Sequence, residues 1–248
     1  AVTKQPGPGS RLPLVWMSRT APLAYDSADR LIGVGYDVLV APLLRVEHLH
    51  SPLDLTGVGS MIFTSRNGVA AFVHCSSERR PPAFTVGDAT AKAAREAGFR
   101  QVLSAGGDVE DLRRLVLDKA QFEDGVVLRA GAQEPAGDLV AALASGGLGV
   151  RDWPAYRTIK ENPRAILDQI NAPQRDLDAA LIYSPKAARI LSGLLTKQPL
   201  PVRTIVCISP AAAAELTDHS AYTICVAERP NENSLFAALQ TASRSWFT

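Results

Sequence analysis

Short apolar runs alternate with longer amphipathic segments along most of this chain. The apolar runs predict strands at Leu14–Met17, Val38–Ala41, Met61–Thr64, Phe84–Val86, Gln101–Leu103, Val126–Leu128, Ala180–Tyr183, Thr204–Ile208 and Tyr222–Val226. Several of the intervening segments predict helices, at Ala89–Ala97, Val109–Leu117, Ala136–Ala144 and Pro185–Leu195. This alternation is typical of βα units on a mainly parallel sheet, so we expect an α/β fold with helices flanking the sheet.

The two halves of the chain also resemble each other. The matching segments are Met61–Ala71 with Leu181–Ile190, Val86–Ala91 with Ile208–Ala213, and Glu110–Leu112 with Asn233–Leu235, and Arg19 matches Arg129 more loosely. The first three pairs lie about 120 residues apart, far beyond the period of a solenoid repeat. We therefore expect two similar lobes, with a cleft between them that suits a small-molecule ligand.

Two extended stretches interrupt the alternation. Pro42–Leu49 and Arg151–Lys160 occupy matching places in the two copies, each after a β-α-β segment whose helix ends near glycines. This symmetry predicts a connector of two strands between the lobes.

Composition and charge exclude several classes of protein. The net charge is +1 and the basic residues are scattered, which gives no reason to expect nucleic acid or a membrane surface as a partner. No apolar run approaches the roughly 20 residues that span a bilayer. Residues 1–11 predict a flexible tail without a hydrophobic signal region, and the three cysteines fit a reducing compartment, so we expect a cytoplasmic protein.

The sequence predicts no metal site. The three cysteines form no CxxC pair, and His48 and His50 alone would make a poor metal site. We interpret these histidines as surface or packing residues.

Polar residues recur where a predicted strand meets a predicted helix. They are Ser65, Asn67, Thr90, Ser184 and Ser209. The carboxyl ends of parallel strands form the binding edge of an open α/β sheet, and helix N-termini there favour anions. Each of these junctions also fits a simple N-cap, which stabilises a helix by about 1 kcal/mol. Their recurrence in both copies favours a cleft that binds a ligand with several carboxylates or phosphates.

Motifs along nearly the whole chain, from about Leu12 to Leu239, match one known family. They are Ser18–Thr20, Phe63–Val69, Val86–Ala91, Gly107–Leu112, Tyr156–Thr158, Tyr183–Ala188 and Cys207–Ser209. In their order and spacing the chain resembles the uroporphyrinogen-III synthases. The resemblance implies that the lobes interleave: residues 12–41 with 159–248 form one lobe, 46–153 form the other, and 42–45 and 154–158 are the connector strands.

The resemblance also implies an activity. The family cyclises the linear tetrapyrrole hydroxymethylbilane, which carries eight carboxylates, to uroporphyrinogen III, with loss of water and inversion of the last pyrrole ring. The expected protein is a monomeric lyase that needs no cofactor or metal and makes a transient contact with the enzyme that supplies its substrate.

The family motifs assign roles to particular residues. Tyr156 matches the residue that assists loss of the hydroxyl group. The expected substrate-binding residues are Arg19, Ser65, Asn67, Thr90, Ser184 and Ser209. Many members carry threonine where this chain has Ala212, so a non-catalytic ligand-binding or regulatory protein of the same fold is the alternative.

Overall fold

The computed structural model describes residues 11–120, 124–134 and 138–246, which form two compact units. The first unit takes the described chain up to Arg45 and from Ile159 onward, and the second takes Val46–Thr158. The predicted tail lies outside the described residues except for Arg11, which donates a hydrogen bond to Asp178 at 3.2 Å. Residues 136 and 137 of the helix predicted at 136–144 also lie outside them.

Strands and helices alternate along the chain. The strands are β1 (Leu14–Met17), β2 (Asp37–Val40), β3 (Leu44–His48), β4 (Val58–Phe63), β5 (Ala83–Thr85), β6 (Val102–Ser104), β7 (Val126–Ala132), β8 (Val150–Lys160), β9 (Leu177–Ile182), β10 (Val202–Cys207) and β11 (Thr223–Val226). The helices are α1 (Leu23–Ile32), α2 (Arg66–Cys75), α3 (Asp88–Glu96), α4 (Val109–Lys119), α5 (Leu139–Ser145), α6 (Pro163–Asn171), α7 (Pro185–Leu195), α8 (Pro210–Ala214) and α9 (Glu232–Ser243).

The described part of the first unit forms a parallel sheet in the order β11-β10-β9-β1-β2. Its central strands are apolar on both faces because helices cover both sides. Leu14 and Trp16 pack in a core with residues of α6 and α7, whereas Val15 and Met17 pack in a second core with residues of α1 and α9. Strand β1 thus separates the two hydrophobic cores of this unit.

The described part of the second unit forms a sheet in the order β3-β8-β7-β4-β5-β6. All neighbouring strands between β8 and β6 in this order pair in parallel. Met61 and Phe63 face a core with α2 and α3, and Ile62 faces a core with α4 and α5. The order β6-β5-β4-β7-β8 repeats the order of the first unit, which is the structural form of the sequence repeat.

Strands β3 and β8 run in opposite directions. Leu49 donates its backbone hydrogen bond to Ala155 at 2.9 Å, while Glu161 donates to Leu43 at 3.0 Å. These two strands contain the points at which the chain passes from one unit to the other.

The predicted α/β class with mainly parallel sheets and flanking helices is confirmed. Most strand ends shift by one to three residues, and β7 shows the largest change. It continues through Ala132 rather than ending at Leu128. The apolar run ends at Arg129, but the strand can include this charged residue because Asp152 on β8 pairs with it.

Candidate functional site

The polar edge of the second unit begins at Ser65, which follows β4 and precedes α2. Its hydroxyl group accepts a hydrogen bond from the backbone N–H of Gly68 at 3.2 Å, so Ser65 is the N-cap of the helix. Gly68 lies against β7: a Cβ atom there would be 2.6 Å from the carbonyl oxygen of Ala130. Only glycine allows the start of α2 to lie this close to the strand.

The hydroxyl group of Tyr156 meets this helix start. Its oxygen lies 2.8 Å from the hydroxyl oxygen of Ser65. Tyr156 lies on β8, is only 5% exposed, and packs in the core beneath α2. Ser65 and Tyr156 are the two sequence-predicted site residues that the described contacts join.

The surroundings of Tyr156 favour its protonated form. Burial raises the pKa of the Tyr156 hydroxyl above its ordinary value, while the hydrogen bond with Ser65 and the positive charge of Arg129 partly lower it. At neutral pH the side chain is therefore a neutral phenol, which can donate a hydrogen bond or a proton.

Two other predicted residues lie in the first turns of neighbouring helices. Asn67 is half-buried in the first turn of α2. Thr90 is 6% exposed in the first turn of α3, where its backbone N–H donates to Gly87 at 3.1 Å. Both residues follow strand ends on the same edge of the sheet, as the sequence predicted.

Sequence reasoning missed the chemical environment of Arg129. This residue is 1% exposed, its Nε lies 2.8 Å from Oδ1 of Asp152, and its Nη2 donates to Ala132 at 2.9 Å. The available signal was an arginine inside an apolar strand, because arginine is almost never fully buried unless it is paired.

In the first unit, Ser184 and Ser209 are N-caps. Ser184 accepts from the N–H of Ala187 at 3.1 Å, and Ser209 accepts from that of Ala212 at 3.3 Å. Ala212 is fully buried, and its side chain packs in the core of this unit.

Arg19 has several partners within the first unit. Its guanidinium pairs with Glu232 at 2.5 Å, donates to Ser27 at 3.0 Å, and lies over the ring of Tyr183. Tyr183 also donates to Glu232, at 3.0 Å. Burial and the negative charge of Glu232 raise the pKa of Tyr183 far above its ordinary value. Arg19 thus belongs to a charged cluster that joins β1 to the start of α9.

Other features of the second unit lie away from Tyr156. A cavity of about 340 Å³ is lined by Leu55, Val58, Arg80 and Pro82, at the amino ends of β4 and β5 and therefore at the opposite edge from Ser65. His48 stacks on His74 with their ring centroids 6.3 Å apart.

Two kinds of feature are absent from the described ranges. They contain no cluster of three or more His, Cys, Asp and Glu side chains arranged to hold a metal ion. None of their helices has the length and apolar character needed to cross a bilayer.

Comparison with family models identifies one family. The model of the family described as uroporphyrinogen-III synthase HemD matches residues 26–237. No curated protein matches in a sequence search. Among solved structures, uroporphyrinogen-III synthetase from Helicobacter pylori is similar over 93% of this chain and 99% of its own, with 19% identity and a TM-score of 0.62.

A second solved structure has the same fold. A mutant uroporphyrinogen III synthase from the extremely thermophilic bacterium Thermus thermophilus is similar over 94% of this chain and 99% of its own, with 17% identity and a TM-score of 0.50. At such identities these structures show the shared fold, and the family model, which spans most of the chain, shows the family. This protein belongs to the uroporphyrinogen-III synthase family.

Proposed function

We propose that this protein is a hydro-lyase that cyclises hydroxymethylbilane to uroporphyrinogen III, with loss of water and inversion of the last pyrrole ring. The observation that carries the proposal is the buried Tyr156 hydroxyl group, 2.8 Å from Ser65 at the start of α2, in a chain that belongs to this family. A protonated phenol at the binding edge of a parallel sheet suits departure of a hydroxyl group.

Tyr156 acts as the proton donor in the first step. The C–O bond of the substrate's hydroxymethyl group breaks as electrons from the attached pyrrole form an azafulvene. The phenol gives its proton to the departing hydroxyl group, which leaves as water. Ser65 then donates its hydrogen bond to the phenolate, and the proton released when the ring system regains its aromaticity restores the phenol.

The remaining demand on the protein is to hold a flexible substrate in the geometry of attack. The substituted carbon of the last ring must reach the azafulvene, and binding in the right orientation lowers the entropic part of that barrier. Within the second unit, the starts of α2 and α3, with Ser65 and Thr90 in or before their first turns, supply N–H donors for carboxylates. Within the first unit, the starts of α7 and α8, with Ser184 and Ser209 as their caps, supply further donors. Asn67 and Arg19 add polar side chains in this scheme.

The non-catalytic alternative rested on Ala212. Its side chain is fully buried in the core of the first unit. Alanine at this position therefore does not remove a hydroxyl group from the exposed surface. This position therefore gives no reason to prefer a protein without turnover.

The proposal also covers the compartment in which the protein acts and the way its substrate arrives. Cys75, Cys207 and Cys225 are free thiols, which fits the reducing cytoplasm. We infer a monomer that receives its unstable substrate through brief contact with the preceding enzyme.

The test of the proposal is a coupled assay. The protein is mixed with enzymatically generated hydroxymethylbilane, and the uroporphyrin isomers are separated after oxidation. Isomer III is the expected product. Formation of isomer I alone, the product of spontaneous closure, would contradict the proposal.

A further inference from the structure

The Arg129 guanidinium carries a buried donor that no protein group accepts. Among the described residues, its Nη1 has no hydrogen-bond partner and is shielded from solvent; Nε also makes no hydrogen bond, but it lies 2.8 Å from Oδ1 of Asp152 within the ion pair. Nη1 lies beside Gly131, where a Cβ atom would come within 2.3 Å of it. Burying a charge with an unused donor costs free energy, so the position of this group calls for a structural or functional reason.

The bonds that Arg129 does make hold an irregular stretch of the sheet. Gly131 pairs with Pro154, but the next residue, Ala132, pairs with Tyr156, so β8 contains one extra residue at this point. The Nη2 atom of Arg129 donates to the carbonyl oxygen of Ala132 at 2.9 Å, directly at this bulge.

The bulge decides which face of the sheet Tyr156 occupies. Side chains of a regular strand alternate between faces, so Trp153 and Ala155 would share one face and Tyr156 would point to the other. Instead, all three residues pack in the core beneath α2. The extra residue therefore turns Tyr156 toward Ser65.

We propose that Arg129 is a positioning residue for Tyr156: it fixes the bulge that turns the phenol toward Ser65 and supplies a positive charge beside it. This inference rests on the proposed function, in which Tyr156 gives up its proton. The phenolate formed in that step gains from a nearby cation in a buried site.

Several other charged or titratable groups lie on β8 and on the adjacent strand β3. Asp152 on β8 is 37% exposed and is paired with Arg129. Arg157 is paired with Glu47, while His48 lies on the adjacent strand β3. Arg129, by contrast, is an arginine whose positive charge contributes to lowering the pKa of Tyr156.

The first experiment measures the titration of Tyr156 without substrate. The protein is labelled with 3-fluorotyrosine, which titrates below tyrosine, and the fluorine resonance of residue 156 is assigned with Y156F. The variant R129M should raise the titration midpoint by about one pH unit. The control R151M removes an arginine of the neighbouring strand β8, paired with Asp54, and should leave the midpoint unchanged.

The second experiment is a double-mutant cycle on turnover. R129M should lower kcat about tenfold and leave KM nearly unchanged, but it should have little further effect in the Y156F background. An arginine that only stabilised the fold would lower kcat by the same factor in both backgrounds, and that result would overturn the inference.

A third variant serves if R129M fails to fold. R129K keeps the positive charge but loses the planar guanidinium group whose nitrogens reach both Ala132 and Asp152. It should therefore displace the fluorine resonance of Tyr156 and lower kcat. A wild-type resonance and wild-type kcat in R129K would overturn the inference.

The titration separates this inference from the proposed function. Production of isomer I alone by the wild type, with a shifted midpoint in R129M, would overturn the function and retain the link between the two residues. Production of isomer III with an unchanged midpoint would overturn the role of Arg129 alone.

Discussion

The hydroxyl groups of Tyr156 and Ser65, 91 residues apart in the chain, lie 2.8 Å from each other. One belongs to a bulged strand and the other begins a helix that glycine brings against the sheet. This contact joins a proton donor to a helix N-terminus, the two features that the proposed chemistry requires.

The variant Y156F should lower kcat by about tenfold or more while the protein remains folded, because it removes a proton donor of the leaving group. Steady-state rates and circular dichroism measure the two effects. Y25F is the matched control, since the side chain of Tyr25 is exposed, and it should keep the wild-type rate. Equal rates in Y156F and wild type would remove Tyr156 from the mechanism.

The variant S65A should lower both stability and turnover. Loss of the cap of α2 should reduce the free energy of unfolding by about 1 kcal/mol. N162A removes the cap of α6, where Asn162 accepts from Arg164 at 2.9 Å, and should cost a similar free energy without lowering kcat. Denaturant titration and steady-state kinetics distinguish the two variants. If N162A lowered kcat as much as S65A, the effect would reflect stability rather than the contact with Tyr156.

The variant G68A should destabilise the second unit, because its Cβ would lie 2.6 Å from the carbonyl oxygen of Ala130 and push α2 away from β7. We expect a loss of at least about 1 kcal/mol in the free energy of unfolding and a lower kcat. G193A, inside α7 with open space around the new Cβ, should instead stabilise by about 0.5–1 kcal/mol. A fully stable and active G68A would show that the close approach is unnecessary.

Alkaline pH should destabilise the protein through Tyr183. Its pKa in the folded state is raised by burial and by Glu232, so the stabilising contribution is present below the unfolded pKa and is lost as pH rises above about 10. Y183F should be less stable at pH 7, since it loses the hydrogen bond to Glu232, but its unfolding free energy should fall less steeply above pH 10. Denaturant titrations at several pH values measure the slopes. Identical slopes in Y183F and wild type would contradict this assignment.

Local sequence patterns predicted the alternating elements and the capping positions well. Ser65, Ser184 and Ser209 are caps because short polar side chains compete for backbone donors next to them in the chain. Pro185 likewise starts its helix, as its fixed φ angle favours.

Contacts between distant parts of the chain were not predictable in the same way. Arg19 pairs with Glu232, which follows it by more than 200 residues, and no local pattern indicates that partner. The bulge at Tyr156 depends on the pairing of β7 with β8, and therefore on which strands become neighbours. The burial of Arg129 follows from the same pairing, since Asp152 is its neighbour across the strands.

The most direct measurement of the central claim is the ratio of uroporphyrin isomers as the amount of this protein is increased at a fixed supply of hydroxymethylbilane. The account predicts that isomer III rises with protein concentration until it replaces isomer I, and that Y156F needs a much higher concentration for the same ratio. Isomer I alone at every concentration of the wild-type protein would contradict the account.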